Sequence, residues 1–266
     1  QSIIFFEKMP DGPHWALSHK IIKLEQQVAR RGFKTDDFVI SLKKDNTVSR
    51  IFCQAKRQIA IRNNKTFLDV ISKAWHDFRS SNFSKRLDKI ALICGPLSQE
   101  NVDHTLHLLA IAKSKNSTPD FYDHINSNAI SSKIKQKLSL IREAIAISNK
   151  DNYPTEQELF EFLSLFRIWD FDFLYEDGVD VALLYSHITQ RTSDSPASVF
   201  REICAFLQIN NQISREITLE SFPEEIVSKI SPIRFQNSTK NEISNFSATK
   251  EKQQQALLSE PITYPT

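Results

Sequence analysis

From Asp37 to Lys56 the chain reads DFVISLKKDNTVSRIFCQAK. The first part of this stretch, Asp37–Leu42, is rich in β-branched and aromatic residues, which favour strands. The polar run Lys43–Asn46 is typical of a turn, and Val48–Lys56 resumes the strand pattern. The sequence therefore predicts an antiparallel β-hairpin.

Upstream of the hairpin, the apolar residues are spaced as in an amphipathic helix. They recur at intervals of four, three and four residues, at Leu17, Ile21, Leu24 and Val28. This spacing predicts a helix over Trp15–Arg31. Gly32 is placed to end that helix, because glycine is favoured just past a helix C-terminus.

Downstream of the hairpin, helical and strand patterns alternate. A helix is predicted from Thr66 to about Ser80, and the apolar run Lys89–Cys94 predicts a buried strand. Ser98 can cap a further helix that runs to about Lys113. The first 115 residues therefore predict an α/β fold with a central sheet flanked by helices.

The remainder of the chain has a helical pattern. Helices are predicted over Ser131–Ile147, Thr155–Phe166, Val179–Thr189 and Pro196–Leu207. We accordingly divide the chain into an α/β unit over residues 1–150 and an acidic, all-helical linker or accessory domain over residues 151–235. Residues 236–266 are polar and predict a connector or tail.

Composition excludes several function classes. Four glycines in 266 residues cannot supply a dinucleotide-binding loop or a Walker A loop. The three cysteines lie far apart with no zinc spacing, which favours a reducing, cytoplasmic environment. No apolar stretch approaches the length of a membrane span, so we expect no membrane association.

The net charge of +2 hides a strong asymmetry along the chain. Residues 1–94 hold 18 Lys or Arg against 9 Asp or Glu, a net charge of +9. Residues 151–230 hold 5 against 15, a net charge of −10. A basic unit joined to an acidic one is typical of a polyanion-binding module attached to another element.

The hairpin also carries a candidate metal site. Gln54 and Lys56 share one face of the second strand, and Asp37 lies at the mouth of the first. A carboxylate and a carboxamide oxygen suit Mg²⁺, and a nearby lysine can hold a phosphate oxygen or an attacking water. Asp37 is the principal candidate ligand, with Asp36 as its alternative because the register is open.

The segments Thr35–Ile40 and Ile51–Lys56 resemble the core of the PD-(D/E)XK restriction-endonuclease-like superfamily. The resemblance is closest to variants with a Gln-x-Lys motif, as in Mrr-like enzymes and the effector nucleases of bacterial anti-phage systems. It covers about residues 10–95. Phe160–Leu207 more weakly resembles the helical linker that joins such nucleases to STAND-type NTPases.

This resemblance implies a restriction-endonuclease-like core and hydrolysis of double-stranded DNA with Mg²⁺, or with Mn²⁺ as a substitute. It assigns catalysis to Asp37, Gln54 and Lys56. In the superfamily an acid often comes from the first helix, which makes Glu25 a further catalytic and metal-binding candidate. It also implies an NTPase or sensor domain as a partner, in the same protein or in a complex, and an oligomeric active state.

Basic residues flank the candidate site in the sequence. Lys and Arg supply phosphate contacts that do not depend on the base sequence. The candidate DNA-binding residues are Arg30, Arg31, Lys34, Arg57, Arg62 and Lys65.

Two alternatives stay open beside the endonuclease. Gln54 replaces the usual acid, which favours a nuclease-fold module that binds DNA or assembles without cutting. The other alternative is a purely helical interaction protein in which the hairpin is incidental.

Overall fold

The computed structural model describes residues 20–26, 33–35, 37–173, 178–212 and 216–230. Its described strands form one six-stranded sheet in the order β5-β4-β3-β2-β1-β6. The strands are β1 Lys20–Gln26, β2 Phe38–Lys44, β3 Thr47–Lys56, β4 Lys89–Cys94, β5 Phe166–Asp170 and β6 Glu216–Ile217.

Helices cover both faces of this sheet. In chain order they are α1 Lys65–Phe78, α2 Gln99–Asn101, α3 His107–Ser114, α4 Thr118–Asn126, α5 Ser132–Ser148, α6 Glu156–Leu165, α7 Val179–Thr189, α8 Pro196–Gln212 and α9 Glu224–Lys229. A π-helical stretch, Val102–Leu106, joins α2 to α3, and a 3₁₀ turn, Leu219–Ser221, precedes α9. None of the described helices has both the length and the apolar character needed to cross a membrane.

The sheet is mixed, and the predicted hairpin lies at its centre. β2 and β3 pair antiparallel, with Phe38 opposite Cys53 and a turn at Asp45, whose φ is 51°. β1 also pairs antiparallel with β2, whereas β3, β4 and β5 are parallel to one another. The α/β class and the hairpin are therefore confirmed, and the purely helical alternative is wrong.

Alternating side chains of the sheet feed two apolar cores. Val39, Phe52 and Ile90 face a large core that includes residues of α1, α3, α5 and α6. Ile40 and Ile51, the sequence neighbours of Val39 and Phe52, face a smaller core with α7 and α8. The period of two places successive side chains on opposite faces, so each strand serves both cores.

The predicted helix over Trp15–Arg31 is wrong where the chain is described, because residues 20–26 form β1. The register between β1 and β2 shifts between Ile21 and Lys23, which marks a bulge or similar irregularity. Ile21 and Leu24 therefore both pack on the smaller core although they are three residues apart. The irregularity thus gave the apolar residues of a strand the three-residue spacing that is typical of a helix. Residues 15–19 and 27–31 lie outside the described residues.

The expectation of an all-helical region after residue 150 is also wrong. β5 adds to the sheet beside β4, and the two residues of β6 pair with β1. In β5, Phe166 and Ile168 face the large core and Trp169 faces the smaller one. A strand buried on both faces lacks the alternation that identifies a half-exposed strand, and in β5 the buried Arg167 interrupts the apolar residues as well.

The helix boundaries follow local capping. α6 begins with a capping box, in which the Thr155 hydroxyl accepts from the Glu158 N–H and the Glu158 carboxylate accepts from the Thr155 N–H. α1 begins at Lys65, one residue before the predicted start at Thr66, and Asn64 caps it. The predicted strand Lys89–Cys94 and helix Val179–Thr189 are confirmed at both ends. α4 was not predicted.

Candidate active site

The sheet register places four candidate residues on one face. Glu25 lies opposite Val39, which lies opposite Phe52, and directly opposed residues share a face. Gln54 and Lys56 follow Phe52 at intervals of two, so they project to that same side. Asp37 precedes Val39 by two residues.

Asp37 is bonded directly to the strand that carries the other two motif residues. Its Oδ2 atom accepts a hydrogen bond of 2.6 Å from the backbone N–H of Ala55. Ala55 lies between Gln54 and Lys56. The carboxylate is thereby held against the Gln-x-Lys motif. The spatial proximity expected from the sequence is therefore present.

Gln54 is the most unusual residue of this face. Its side chain is buried, with only 2% of its surface exposed. Neither its Oε1 nor its Nε2 atom has a hydrogen-bond partner within the described part of the chain. Nearly all buried polar groups in proteins are satisfied, and an unsatisfied one costs about 1–3 kcal/mol. The carboxamide therefore has hydrogen-bonding capacity that the described part of the chain does not use.

Lys56 ends β3 and is partly buried, whereas the neighbouring Ala55 is exposed. No ion pair joins Lys56 to a carboxylate among the residues the structure describes. An ammonium group in this position is free to bind an anion, such as a phosphate oxygen.

Glu25 lies on a strand and not on the predicted helix. It is 9% exposed, and a carboxylate oxygen lies 3.0 Å from Lys23 Nζ. Asp37 is its diagonal neighbour across β1 and β2, a separation of about 7–8 Å between α-carbons. Glu25 therefore shares the face, but its charge is already compensated by Lys23.

Cys53, the residue before Gln54, points to the opposite face and packs in the smaller core. Burial, together with the nearby Asp37 carboxylate, raises the pKa of its thiol well above the ordinary value. The neutral thiol is a poor nucleophile. Cys53 consequently acts as a core residue.

Asp77 is a positioning residue that the sequence analysis missed. It is 1% exposed and its two carboxylate oxygens accept from the backbone N–H groups of Lys34 and Thr35, at 2.8 and 2.6 Å. These bonds fix the segment that leads to Asp37. In the sequence, Asp77 stands between Trp75 and Phe78 on the apolar side of α1, and a carboxylate at a buried helix position indicates a structural hydrogen-bonding role.

The Asp37 carboxylate and the Gln54 carboxamide oxygen are donors of the type that Mg²⁺ prefers. No group of three or more His, Cys, Asp or Glu residues that could hold a metal occurs among the described residues. Mg²⁺, however, commonly uses one or two protein carboxylates and completes its shell with water and substrate phosphates. Asp37 and the Gln54 carboxamide oxygen would be the ligands. Asp36, the alternative ligand, lies outside the described residues.

The candidate DNA-binding residues do not form one cluster. Arg57, Arg62 and Lys65 are exposed and follow the carboxyl end of β3. Lys34 is also exposed, but its backbone N–H is bonded to Asp77, near the carboxyl end of α1. Lys65 begins the same helix, which is about 20 Å long, so the two lysines lie at opposite ends of it. Arg30 and Arg31 lie outside the described residues.

The loop that carries Arg57 and Arg62 is fastened from the helical layer. Lys137 Nζ donates to the Ile61 carbonyl oxygen at 2.9 Å and to Asn101 Oδ1 at 2.8 Å. The loop is thus fixed between α5 and α2, close to the end of the strand that bears Lys56. No protein-family model, curated protein or solved structure matches this chain.

Proposed function

We propose that the chain is a metal-dependent endonuclease that hydrolyses phosphodiester bonds of double-stranded DNA at the face formed by Asp37, Gln54 and Lys56. The observation that carries this proposal is the buried Gln54 carboxamide, which lacks a hydrogen-bond partner among the described residues. It adjoins the residue whose N–H holds Asp37. A cation bound between the Asp37 carboxylate and the Gln54 carboxamide oxygen would satisfy the buried Oε1 atom.

Each residue has a distinct task in this proposal. Asp37 and Gln54 would hold Mg²⁺, which supplies charge stabilisation of the phosphoryl group and a lowered pKa of the attacking water. Lys56 binds a non-bridging phosphate oxygen or orients that water. The exposed cations Arg57, Arg62 and Lys65 bind flanking phosphates without reading base sequence.

The direct test is cleavage of a supercoiled plasmid in Mg²⁺, and separately in Mn²⁺. We expect Lys56→Ala to reduce the cleavage rate at least about a hundredfold, which is typical of a lost catalytic group. Lys44→Ala is the matched control, because Lys44 is an exposed lysine at the hairpin turn, the opposite end of the same strand pair. Equal cleavage by the wild type and Lys56→Ala would refute the proposal.

A DNA-binding module without catalysis is the second candidate. It is favoured by the neutral Gln54 in place of an acid and by the pairing of Glu25 with Lys23. This alternative predicts binding that weakens steeply with salt, and no cleavage with any divalent metal. Metal-dependent cleavage that Asp37→Ala abolishes would exclude it.

The wider setting rests on the sequence resemblance alone. We propose a cytoplasmic effector of bacterial anti-phage defence that works as an oligomer with an NTPase or sensor domain. Such a protein would be kept inactive until its partner assembles it. Cleavage that rises with forced dimerisation through a fused dimerisation tag would support this, and a rate per protomer that stays constant would contradict it.

A further inference from the structure

A cavity of about 260 Å³ lies beside β5. In the sheet, β5 is three strands away from β2, the strand that begins directly after Asp37. The cavity opens between the edge of the described sheet and the helical segment that contains α3. Its lining residues are Leu106, Leu109, Ala110, Lys113, Arg167, Ile168, Trp169 and Asp170. Neighbouring strands are about 4.8 Å apart, so β5 and its cavity lie roughly 14 Å from β2 and Asp37.

Arg167 is the buried charge of this cavity. It is only 5% exposed, and its Nη1 atom donates to the carbonyl oxygens of Ser164 and Phe166, at 2.8 and 3.0 Å. Among the described residues no ion pair joins it to a carboxylate. A buried charge without a counter-charge is strongly unfavourable, so this guanidinium favours an anionic ligand.

Two lysines increase the positive potential around Arg167. Burial and the charge of Arg167 lower the pKa of Lys113, which also lines the cavity. The same two causes lower the pKa of Lys89 to about 8. Asp170 is the one carboxylate in the lining, and it has an interaction of its own. Lys113 also has an interaction of its own, so the buried charge that selects the ligand is Arg167.

The rest of the lining is apolar. Leu106, Leu109, Ile168 and the Trp169 ring give the cavity walls that an inorganic ion would not fill. Apolar walls with a few convergent polar groups are typical of small-molecule sites. A DNA backbone cannot reach the buried Arg167, which separates this cavity from the basic residues around β3.

We propose that this cavity binds a small organic anion, with a phosphate monoester or carboxylate group on Arg167 and an apolar body against the leucine and tryptophan walls. The guanidinium presents planar, paired donors that match either oxyanion. This proposal does not depend on nuclease activity. Its place at the sheet edge makes it a ligand site separate from the Asp37 face.

Calorimetric titration of the full chain tests the proposal with three probes of similar size: phenyl phosphate, benzoate and the neutral benzamide. We expect saturable binding of at least one anion and none of benzamide. Tighter binding of phenyl phosphate assigns the site to a phosphate monoester, and tighter binding of benzoate assigns it to a carboxylate.

Two variants locate the binding. Arg167→Leu should weaken it at least roughly tenfold, because a hydrogen bond to a charged group contributes about 1.5–3 kcal/mol. Ala110→Phe leaves every charge in place and fills the mouth of the cavity, so it should abolish binding even if Arg167→Leu fails to fold. Arg201→Leu, at an exposed arginine on α8, is the matched control.

The proposal fails if neither anion binds or if benzamide binds as tightly as the anions. It also fails if folded Ala110→Phe binds with wild-type affinity. Loss of binding in Ala110→Phe together with retention in Arg201→Leu would establish the site.

Discussion

Replacing Gln54 with methionine tests the central feature of the candidate site without an activity assay. Methionine has nearly the same length and volume but no hydrogen-bonding group to leave unsatisfied. The wild-type carboxamide buries two polar atoms that lack partners among the described residues. Each such group costs about 1–3 kcal/mol, so Gln54→Met should stabilise the metal-free protein by about 2 kcal/mol after some loss of packing.

The measurement is the thermal unfolding midpoint in a chelator and then in Mg²⁺. A gain of about 2 kcal/mol corresponds to roughly 4–8 °C for a chain of this size. Mg²⁺ should raise the midpoint of the wild type, since a ligand that binds only the folded state stabilises it. It should leave Gln54→Met unchanged. Gln58→Met, at an exposed residue just past β3, is the control and should shift neither value.

Two results would refute this reasoning. If Gln54→Met is less stable than the wild type in chelator, the carboxamide has partners within the chain and is a structural group. If Mg²⁺ stabilises the variant as much as the wild type, the cation binds elsewhere. Either result removes the observation on which the endonuclease proposal depends.

Three further predictions concern stability and the support of the site. Asp77→Ala should destabilise the protein by about 2–4 kcal/mol in chemical denaturation, because the backbone N–H groups of Lys34 and Thr35, the second of them buried, lose a charged acceptor. Phe162→Ala should cost about 3–5 kcal/mol in the same assay, since this ring is fully buried between Trp75, Phe78 and Phe166. Lys89→Met should stabilise the protein at pH 7 by about 1–2 kcal/mol after allowance for solvent screening, and this advantage should shrink between pH 8 and 10.5.

The sign of the pH effect follows from the lowered pKa of Lys89. Below about pH 8 the lysine is charged in both states, and burial penalises only the folded one. Between pH 8 and 10.5 the unfolded chain binds the extra proton, so wild-type stability rises with pH relative to the variant. A constant difference across this range would contradict the assignment. Wild-type stability of Asp77→Ala or Phe162→Ala would contradict the other two predictions.

Local sequence signals predicted the centre of the fold and the proximity of its motif residues. The hairpin follows from strand propensity on both sides of a polar turn, and the position of Asp37 beside Gln54 follows from the register that this turn sets. The capping box at Thr155 is likewise a short-range signal. These features depend on residues a few positions apart in the sequence.

Features that depend on distant partners were not predictable in this way. β1 was mistaken for a helix because a register shift placed Ile21 and Leu24 on one face. β5 was missed because its strand state depends on pairing with β4, a segment far back in the chain. The unsatisfied state of Gln54 is equally invisible in sequence, since it depends on which groups the fold does not bring near.

The late position of β5 has a consequence for the order in which the molecule folds. Ile90 pairs with Phe166, so five helices must be synthesised before the parallel edge can close. Pairings of such long sequence separation form slowly, because the entropy of closing the intervening loop is lost first. During synthesis the outer edge of β4 therefore stays open until residue 170 leaves the ribosome. In this interval the nascent chain exposes an apolar strand edge, which makes it a natural substrate for chaperones and the stage most prone to aggregation.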